Sequence, residues 1–357
     1  MDKIIFFTIL VLFPFGQLFK IGIFNLFDLV ILLLAIVTIF KKPKYPEWYR
    51  YFIYFIFACA FSLLVNYKLV DIKSVLYLVR LISYSLVAVY VSNYVSDKKT
   101  VINSLLAVSI ASSVFGILQY LIWSDLTALK YLGWDDHLLR MVGTFLDPTY
   151  LGLILVLGII IASEKFSTQR AMRSKLIMYF LLISLAFTYS RSSYLIASLF
   201  LLFQKKYLSI FIFILIILFL PKNIGEGTNL IRTASGSGKL TNYSETWQIF
   251  KKSPVFGVGF NNICNARKLY LNDTNLDSHA CNGSDSSILF LVATTGFLGL
   301  ILFLNFILHV SKSQLLVISF IAVLIHSTFA NSLFYPHIMF WLFCLVGLQR
   351  EVNSQRG

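Results

Sequence analysis

The chain has 357 residues, of which 58% are hydrophobic and only 13% are charged. Soluble domains average about 25% charged residues, so this composition excludes an ordinary soluble protein and predicts an integral membrane protein. The net charge of +14 is best explained by basic cytoplasmic loops and by anionic partners such as membrane lipid headgroups. We find no nucleic-acid-binding motif in the sequence.

Twelve apolar segments predict the fold, since a helix needs about 20 apolar residues to cross a bilayer. Together they predict an all-α polytopic protein with about 12 transmembrane helices, in a single integral membrane domain over residues 1–357. The seventh, eighth and ninth segments are shorter than the others. The segments cover residues 4–19, 21–40, 48–66, 73–95, 101–123, 142–163, 175–189, 191–204, 207–220, 286–309, 314–330 and 333–348.

Lysine and arginine are divided unevenly between the segments that connect these spans. If the N-terminus is cytoplasmic and the loops alternate, the cytoplasmic segments hold 16 of these residues and the short outer loops hold six. This excess follows the positive-inside rule. It predicts two cytoplasmic termini, an even number of spans, and a long extracytoplasmic connection over residues 221–285, between spans nine and ten.

Basic residues at the predicted outer face are candidates for binding an anion. Arg80 lies within the fourth span, where a charge is a functional candidate unless its side chain snorkels to the interface. Arg140 precedes the sixth span, and Arg191 lies in the turn between spans seven and eight. Arg232 and Lys239 lie in the long connection. Guanidinium groups pair with phosphate oxygens in a forked geometry, so the predicted ligand is a lipid diphosphate headgroup.

The long connection also holds candidates for acid–base chemistry and for a crosslink. His279 and Asp285 are the acid–base candidates, although a single loop histidine is more often a plain surface residue. Histidine is the usual general base near neutral pH, and His326 in span eleven is a further buried candidate. Cys264 and Cys281 share an oxidising compartment, which is compatible with a disulfide or with two free thiols.

Two polar features have structural interpretations. A short helix is predicted over residues 243–252, with Asn242 as its cap and Glu245 closing a capping box. His337 is expected at the membrane interface. We find neither a metal-ligand cluster nor a phosphate-cradling glycine loop, so no metal and no nucleotide cofactor is expected.

Four segments, in this order, resemble the O-antigen ligase and O-antigen polymerase superfamily. They are Arg140-x-x-Gly143-Thr144-Phe145 with Asp147-Pro148-Thr149-Tyr150, Ser190-Arg191, Ser237-Gly238-Lys239 through Trp247 with Pro254-Val255-Phe256-Gly257-Val258-Gly259-Phe260, and Thr295-Gly296-Phe297-Leu298-Gly299-Leu300. The similarity covers roughly residues 140 to 340. Three positions depart from the family pattern: Asp285-Ser286 replaces a His-Asn pair, Thr294 replaces a glutamate, and Lys239 replaces an arginine.

The resemblance implies glycosyl transfer at the outer face of the cytoplasmic membrane. The expected donor is a glycan on undecaprenyl diphosphate, and the expected acceptor is a hydroxyl group of a growing glycan, a lipid A core or a protein. The basic residues would hold the diphosphate and neutralise the charge on the leaving group. His279, or Asp285 in its stead, would take the proton of an acceptor hydroxyl that attacks the anomeric carbon with inversion. No metal or cofactor is implied.

Two other functions fit the same spans. A transporter of a lipid-linked sugar or small anion would place ionisable residues near the bilayer midplane, on broken helices. Here the charges are predicted to gather at one face together with the long connection, which favours the enzyme. A catalytically inactive member of a polysaccharide assembly complex is the other alternative, because the His-Asn pair is missing.

Overall fold

The computed structural model of the chain describes residues 2–21, 24–164, 171–221, 226–230, 234–273, 275 and 279–349. Helices dominate these residues. They are α1 (Asp2–Leu12), α2 (Leu26–Phe40), α3 (Glu47–Val65), α4 (Ile72–Tyr94), α5 (Lys98–Ile122), α6 (Pro148–Glu164), α7 (Ala171–Phe187), α8 (Arg191–Phe203), α9 (Tyr207–Phe219), α10 (Ala234–Phe250), α11 (Ile263–Leu271), α12 (Ser287–Val310), α13 (Gln314–His326) and α14 (Pro336–Gly347).

Strands are limited, in the described part of the chain, to two antiparallel pairs of two residues each. They are β1 (Lys20–Ile21) with β2 (Phe24–Asn25), and β3 (Asp125–Leu126) with β4 (His137–Leu138). Each pair closes a short connection between helices. The mostly helical, multi-pass membrane fold predicted from the sequence is therefore confirmed at that level.

Each of the twelve predicted spans overlaps a helix, and ten of these helices are classed below as apolar. Four helices, α3, α4, α5 and α12, are long and apolar enough to cross a membrane by length and composition alone. Six further apolar helices are shorter, between 10 and 17 residues. The number of twelve spans therefore stays a prediction, whereas the position of each helix agrees with it to within a few residues over most of the chain.

Helix α6 lies at the centre of the molecule. Every residue from Leu151 to Ser163 is buried, as expected for a helix that is apolar on all sides. It packs against α5, α7, α8 and α13. Gly152 and Gly158 allow close approach, because a Cβ atom at either would overlap Ser193 of α8 or Ser109 of α5. Small residues of this kind let membrane helices pack backbone to backbone.

Helix α12 is broken at Gly296, which has φ 67° and ψ −170°. The break exposes backbone groups, and the segment after α10 bonds to them. Val258 N–H donates to Ala293 O at 3.0 Å, and Phe297 N–H donates to Pro254 O at 2.9 Å. These bonds join the long connection to α12. We call residues 254–259 together with Gly296 the interlock.

Two glycines make this interlock possible. A Cβ atom at Gly296 would overlap the Val255 carbonyl group, and one at Gly257 would overlap the backbone of Thr294. Both glycines also have positive φ, which residues with a side chain rarely adopt. The glycine motifs that resembled the family therefore have a packing role here.

The described residues of the long connection form two helices, α10 and α11. Only the first was predicted, and its start differs from the prediction. Helix α10 begins at Ala234, nine residues before the predicted start at 243. The proposed cap is therefore wrong, because Asn242 lies inside the helix. The capping-box assignment of Glu245 is also wrong, since its carboxylate pairs with Arg267 of α11 at 2.8 Å. Cys264 of α11 and Cys281 form a disulfide, which ties α11 to the segment that leads into α12.

Candidate active site

A cavity of about 1460 Å³ lies where five helices begin. Helices α2, α6, α8, α12 and α14 each line it with residues of their first turns or of the segment just before them, and α4 lines it with Tyr77 and Arg80, of its second and third turns. Helix N-termini carry partial positive charge and free N–H groups, which favour an anion. These six helices correspond to the even-numbered spans predicted from the sequence, which all begin at the same predicted outer face.

Five of the seven residues predicted for the site line this cavity. They are Arg80, Arg140, Arg191, Lys239 and Asp285. Arg232 lies outside the described residues. For His279 the backbone is described, within the short 3-10 helix His279–Asn282, but the side chain is not. The structure thus brings together residues that lie up to 205 positions apart in the sequence.

Arg140 is buried, with 7% of its surface exposed. Its Nε group donates to Thr188 O at 3.2 Å, and its Nη2 group donates to Tyr189 O at 3.3 Å. These carbonyl groups belong to the turn that leads into α8. Arg140 therefore shapes this turn and adds a buried positive charge to the lining.

Arg191 is the first residue of α8, and its side chain is exposed. Its Nη1 group donates to Leu230 O at 3.4 Å, a weak bond at the limit of hydrogen-bond distance. Its position combines a guanidinium group with the N-terminal end of a helix. Both features attract a phosphate group.

His326 was a further candidate for acid–base chemistry. In the structure it contacts the first turn of α8. It is fully buried at the end of α13. Its Nε2 atom lies 3.1 Å from Ser192 Oγ and 3.3 Å from Ser193 Oγ, and its Nδ1 atom lies 2.6 Å from Ser332 Oγ. His326 does not appear among the residues that line the cavity. Its contacts therefore support a positioning role rather than direct chemistry.

Lys239 and Asp285 are attached to the same wall of the cavity. The Lys239 ammonium group donates to the carbonyl oxygen of Phe329, in the turn after α13. Asp285 N–H donates to Asn242 Oδ1 at 2.9 Å, and Asn242 lies three residues beyond Lys239 on α10. Ser286, which caps α12, donates to Ser327 O in the same turn at 3.0 Å. Asp285 and Lys239 are thus held by the same two segments, α10 and the turn after α13.

Tyr243 lies beside this wall and contacts the same turn, donating to Thr328 O at 2.5 Å. Burial raises its pKa to about 12, and the negative charge of Asp285 adds to the effect. Tyr243 is therefore a neutral hydrogen-bonding group at physiological pH.

Arg80 has a partner that the sequence did not reveal. Its Nη2 group lies 2.6 Å from Asp28 Oδ2, and its guanidinium carbon lies 4.5 Å from the centre of the Tyr77 ring. The Tyr84 hydroxyl donates to Asp28 Oδ1 at 2.7 Å. A signal was present, because Asp28 is an acidic residue inside the second predicted span, and such a residue needs a partner.

Two further histidines differ from the sequence analysis. His337, expected at the membrane interface, is fully buried within the protein in the first turn of α14, with its ring stacked 4.3 Å from that of Phe27. His137 was overlooked, yet it lines the cavity, is 7% exposed, and its Nε2 atom has no hydrogen-bond partner among the described residues. Burial lowers the pKa of His137, the nearby Asp147 opposes this shift, and Arg140 reinforces it.

The comparison with known families agrees with the order of these motifs. A family model described as O-antigen ligase matches residues 176–304, from within α7 to within α12. The matched region contains Arg191, Lys239 and Asp285, whereas Arg80 and Arg140 lie before it. No curated protein matches the chain. The match confirms the resemblance to the O-antigen ligase and O-antigen polymerase superfamily.

Proposed function

We propose that this chain of the O-antigen ligase and polymerase superfamily is a membrane glycosyltransferase. In this proposal it transfers a glycan from undecaprenyl diphosphate to a hydroxyl group of a glycan or lipid A core, at the outer face of the cytoplasmic membrane. One observation carries the proposal. The cavity combines Arg191, Lys239 and Asp285, from the family-matched region, at the N-terminal ends of five helices.

The diphosphate of the donor would bind at the cationic side of the cavity, which we define as Arg140, Arg191 and Lys239. Arg191 offers a forked set of donors at the start of α8, and Arg140 contributes its charge from a buried position. As the bond to the sugar breaks, negative charge grows on the leaving diphosphate. Fixed positive groups stabilise that charge most when they are already in place.

Asp285 is our first candidate for the general base, since it lines the cavity on the scaffold that holds Lys239. Its carboxylate would accept the proton of the acceptor hydroxyl, and the oxygen would attack the anomeric carbon. The bond from that carbon to the diphosphate oxygen breaks, and the diphosphate leaves with the electron pair. Attack from the opposite side inverts the anomeric centre. His279 is the second candidate for the same step.

Substitution of Arg191 tests the proposal. A hydrogen bond to a charged group is worth about 1.5–3 kcal/mol, so Arg191→Ala should reduce glycan transfer at least tenfold at equal protein level in the membrane. Arg191→Lys should restore little, because the forked geometry is lost. The measurement is the yield of transferred glycan in membranes supplied with the extracted lipid-linked donor.

Two outcomes would contradict the proposal. Wild-type transfer by Arg191→Ala would remove Arg191 from the site. Binding of the donor by the wild-type protein without any transfer would instead favour a transporter or an inactive member of the family.

A further inference from the structure

The charged residues that line the cavity fall into two groups. On the cationic side, Arg140, Arg191 and Lys239 donate to main-chain carbonyl oxygens. Arg80 forms an ion pair with Asp28, which also lines the cavity. The two side chains are 24% and 12% exposed. The net charge of this pair is zero, so it attracts a diphosphate less than a single positive charge would.

A second set of polar and aromatic side chains lines the same cavity. Asn25 Nδ2 donates to Gln17 Oε1 at 3.0 Å, and Gln17 Nε2 donates to the Tyr335 hydroxyl at 3.2 Å. The Tyr335 ring stacks on that of Tyr150, with ring centres 3.8 Å apart and an angle of 9° between the planes. We call Gln17, Asn25, Asp28, Arg80, Tyr150 and Tyr335 the polar wall. All six line the cavity.

The polar wall is held rigidly before any ligand arrives. Asn25 Oδ1 also accepts from Phe27 N–H at 2.9 Å and so caps α2, which fixes the turn that presents Asp28. Asp28 is held by Arg80 and Tyr84 together. The Nε and Nη1 groups of Arg80 have no hydrogen-bond acceptor among the described residues. A preorganised wall with spare donors loses little entropy when it binds a ligand.

The chemistry of the polar wall suits a sugar. Planar amide, carboxylate and guanidinium groups donate to and accept from hydroxyl groups, while tyrosine rings offer apolar faces with a polar edge. Sites built to bond hydroxyl groups discriminate strongly, because an analogue without the hydroxyl leaves buried polar groups unpaired. A diphosphate, in contrast, gains little from a pair whose net charge is zero.

The position of the polar wall in the sequence also supports a role in sugar binding. Its residues lie at 17–150 and at 335, outside the family-matched region 176–304, whereas Arg191, Lys239 and Asp285 lie inside it. This separation is incomplete, because Tyr150 stands in the Asp147-Pro148-Thr149-Tyr150 motif that resembles the family, and Arg140 of the cationic side lies before residue 176. A partial separation of this kind is expected if one part handles the group common to all donors and the other recognises the particular glycan.

We infer that the polar wall is a sugar subsite that binds hydroxyl groups of the glycan, and that Arg80 is a ligand of the sugar rather than of the diphosphate. This inference rests on the proposed function, and it reverses the role that the sequence suggested for Arg80. Glycan specificity would then be set by the segments around the starts of α2, α6 and α14 and by the third turn of α4.

Two probes separate the sugar subsite from the diphosphate site in the purified full-length protein. Farnesyl diphosphate carries the diphosphate without a sugar. The oligosaccharide released from the extracted donor by mild acid carries the sugar without the diphosphate. Arg80→Gln should weaken oligosaccharide binding at least tenfold and change farnesyl diphosphate binding less than twofold. Arg191→Gln, the matched control, should do the reverse.

Gln17→Ala provides a second variant, because it removes one member of the polar wall and leaves the Asp28–Arg80 pair intact. It should also weaken oligosaccharide binding, with an unchanged unfolding temperature. A tenfold loss of farnesyl diphosphate binding in Arg80→Gln would make Arg80 a diphosphate ligand and overturn the inference. Unchanged oligosaccharide binding in both wall variants would also overturn it. Unchanged farnesyl diphosphate binding in Arg191→Gln would instead contradict the proposed function.

Discussion

Asp285 and His279 can be separated by single substitutions. If Asp285 is the base, Asp285→Asn should lower glycan transfer by about 10²- to 10⁴-fold, the usual contribution of general base catalysis, with farnesyl diphosphate binding retained. His279→Ala should then keep most of its activity. The measurement is transfer in membranes at equal protein level.

Asp273→Asn is the control for this experiment. Asp273 is another carboxylate of the long connection, and it pairs with Arg267 at 2.8 Å. Its loss should leave transfer near the wild-type level. If His279→Ala is inactive and Asp285→Asn is active, His279 is the base, and if both variants are active neither is.

The individual residues of the cavity were only partly predictable. Arg140 and Arg191 could be selected because they stand in recognisable motifs. Asp28 and Arg80 are each recognisable as a charge within a predicted span, but their pairing was not predictable, because they lie 52 positions apart on different helices and no local pattern joins them. His137 was missed for a similar reason, since only the fold buries it beside the cavity.

At the scale of helices and connections, the interlock at Gly296 makes a stability prediction. Gly296→Ala places a Cβ atom against the Val255 carbonyl group at a residue with φ 67°. This combination of positive φ with ψ near 180° is essentially restricted to glycine, so a side chain there costs about 1–3 kcal/mol, and the overlap adds to this cost. We expect a clearly lower unfolding temperature for the purified protein in detergent.

Gly238→Ala is the matched control for Gly296→Ala. Gly238 lies in α10, and nothing lies within 4 Å of a Cβ atom added there. Replacing glycine with alanine in a helix usually stabilises it by about 1 kcal/mol, so the unfolding temperature should stay equal or rise. An equal decrease in both variants would show that the interlock has no special role.

Helix α10 shows why element boundaries were harder to predict than element positions. Gly236 and Gly238 lower the intrinsic helix propensity of its first turns, and Asn242 imitates a cap. Helix formation is nevertheless favoured by tertiary contacts, because α10 packs against α12 and Lys239 bonds to the turn after α13. Apolar segments were easier, since their burial follows directly from composition.

On the scale of the whole molecule, the charge count and the cavity agree on one arrangement. The count makes every even-numbered span begin at the outer face. The structure gathers the N-terminal ends of α2, α6, α8, α12 and α14, and the second and third turns of α4, around one cavity. The alternation of spans was predictable from the sequence, whereas the convergence of their ends depends on long-range packing.

This arrangement predicts which face each connection occupies, and cysteine labelling in intact cells can test it. Gly238→Cys, at an exposed position of the long connection, should react with a membrane-impermeant maleimide added outside the cells. Lys312→Cys, at an exposed position between α12 and α13, should react only after the membrane is permeabilised. A reporter fused after Gly357 should likewise be cytoplasmic.

The native cysteines should not react with the maleimide in this labelling experiment. Cys59 and Cys344 are buried, and Cys264 and Cys281 are joined in the disulfide. The wild-type protein is therefore the unlabelled control. If both introduced cysteines react from the same side, α12 does not cross the membrane as proposed. The cavity could then not face the compartment in which a lipid-linked glycan would be transferred.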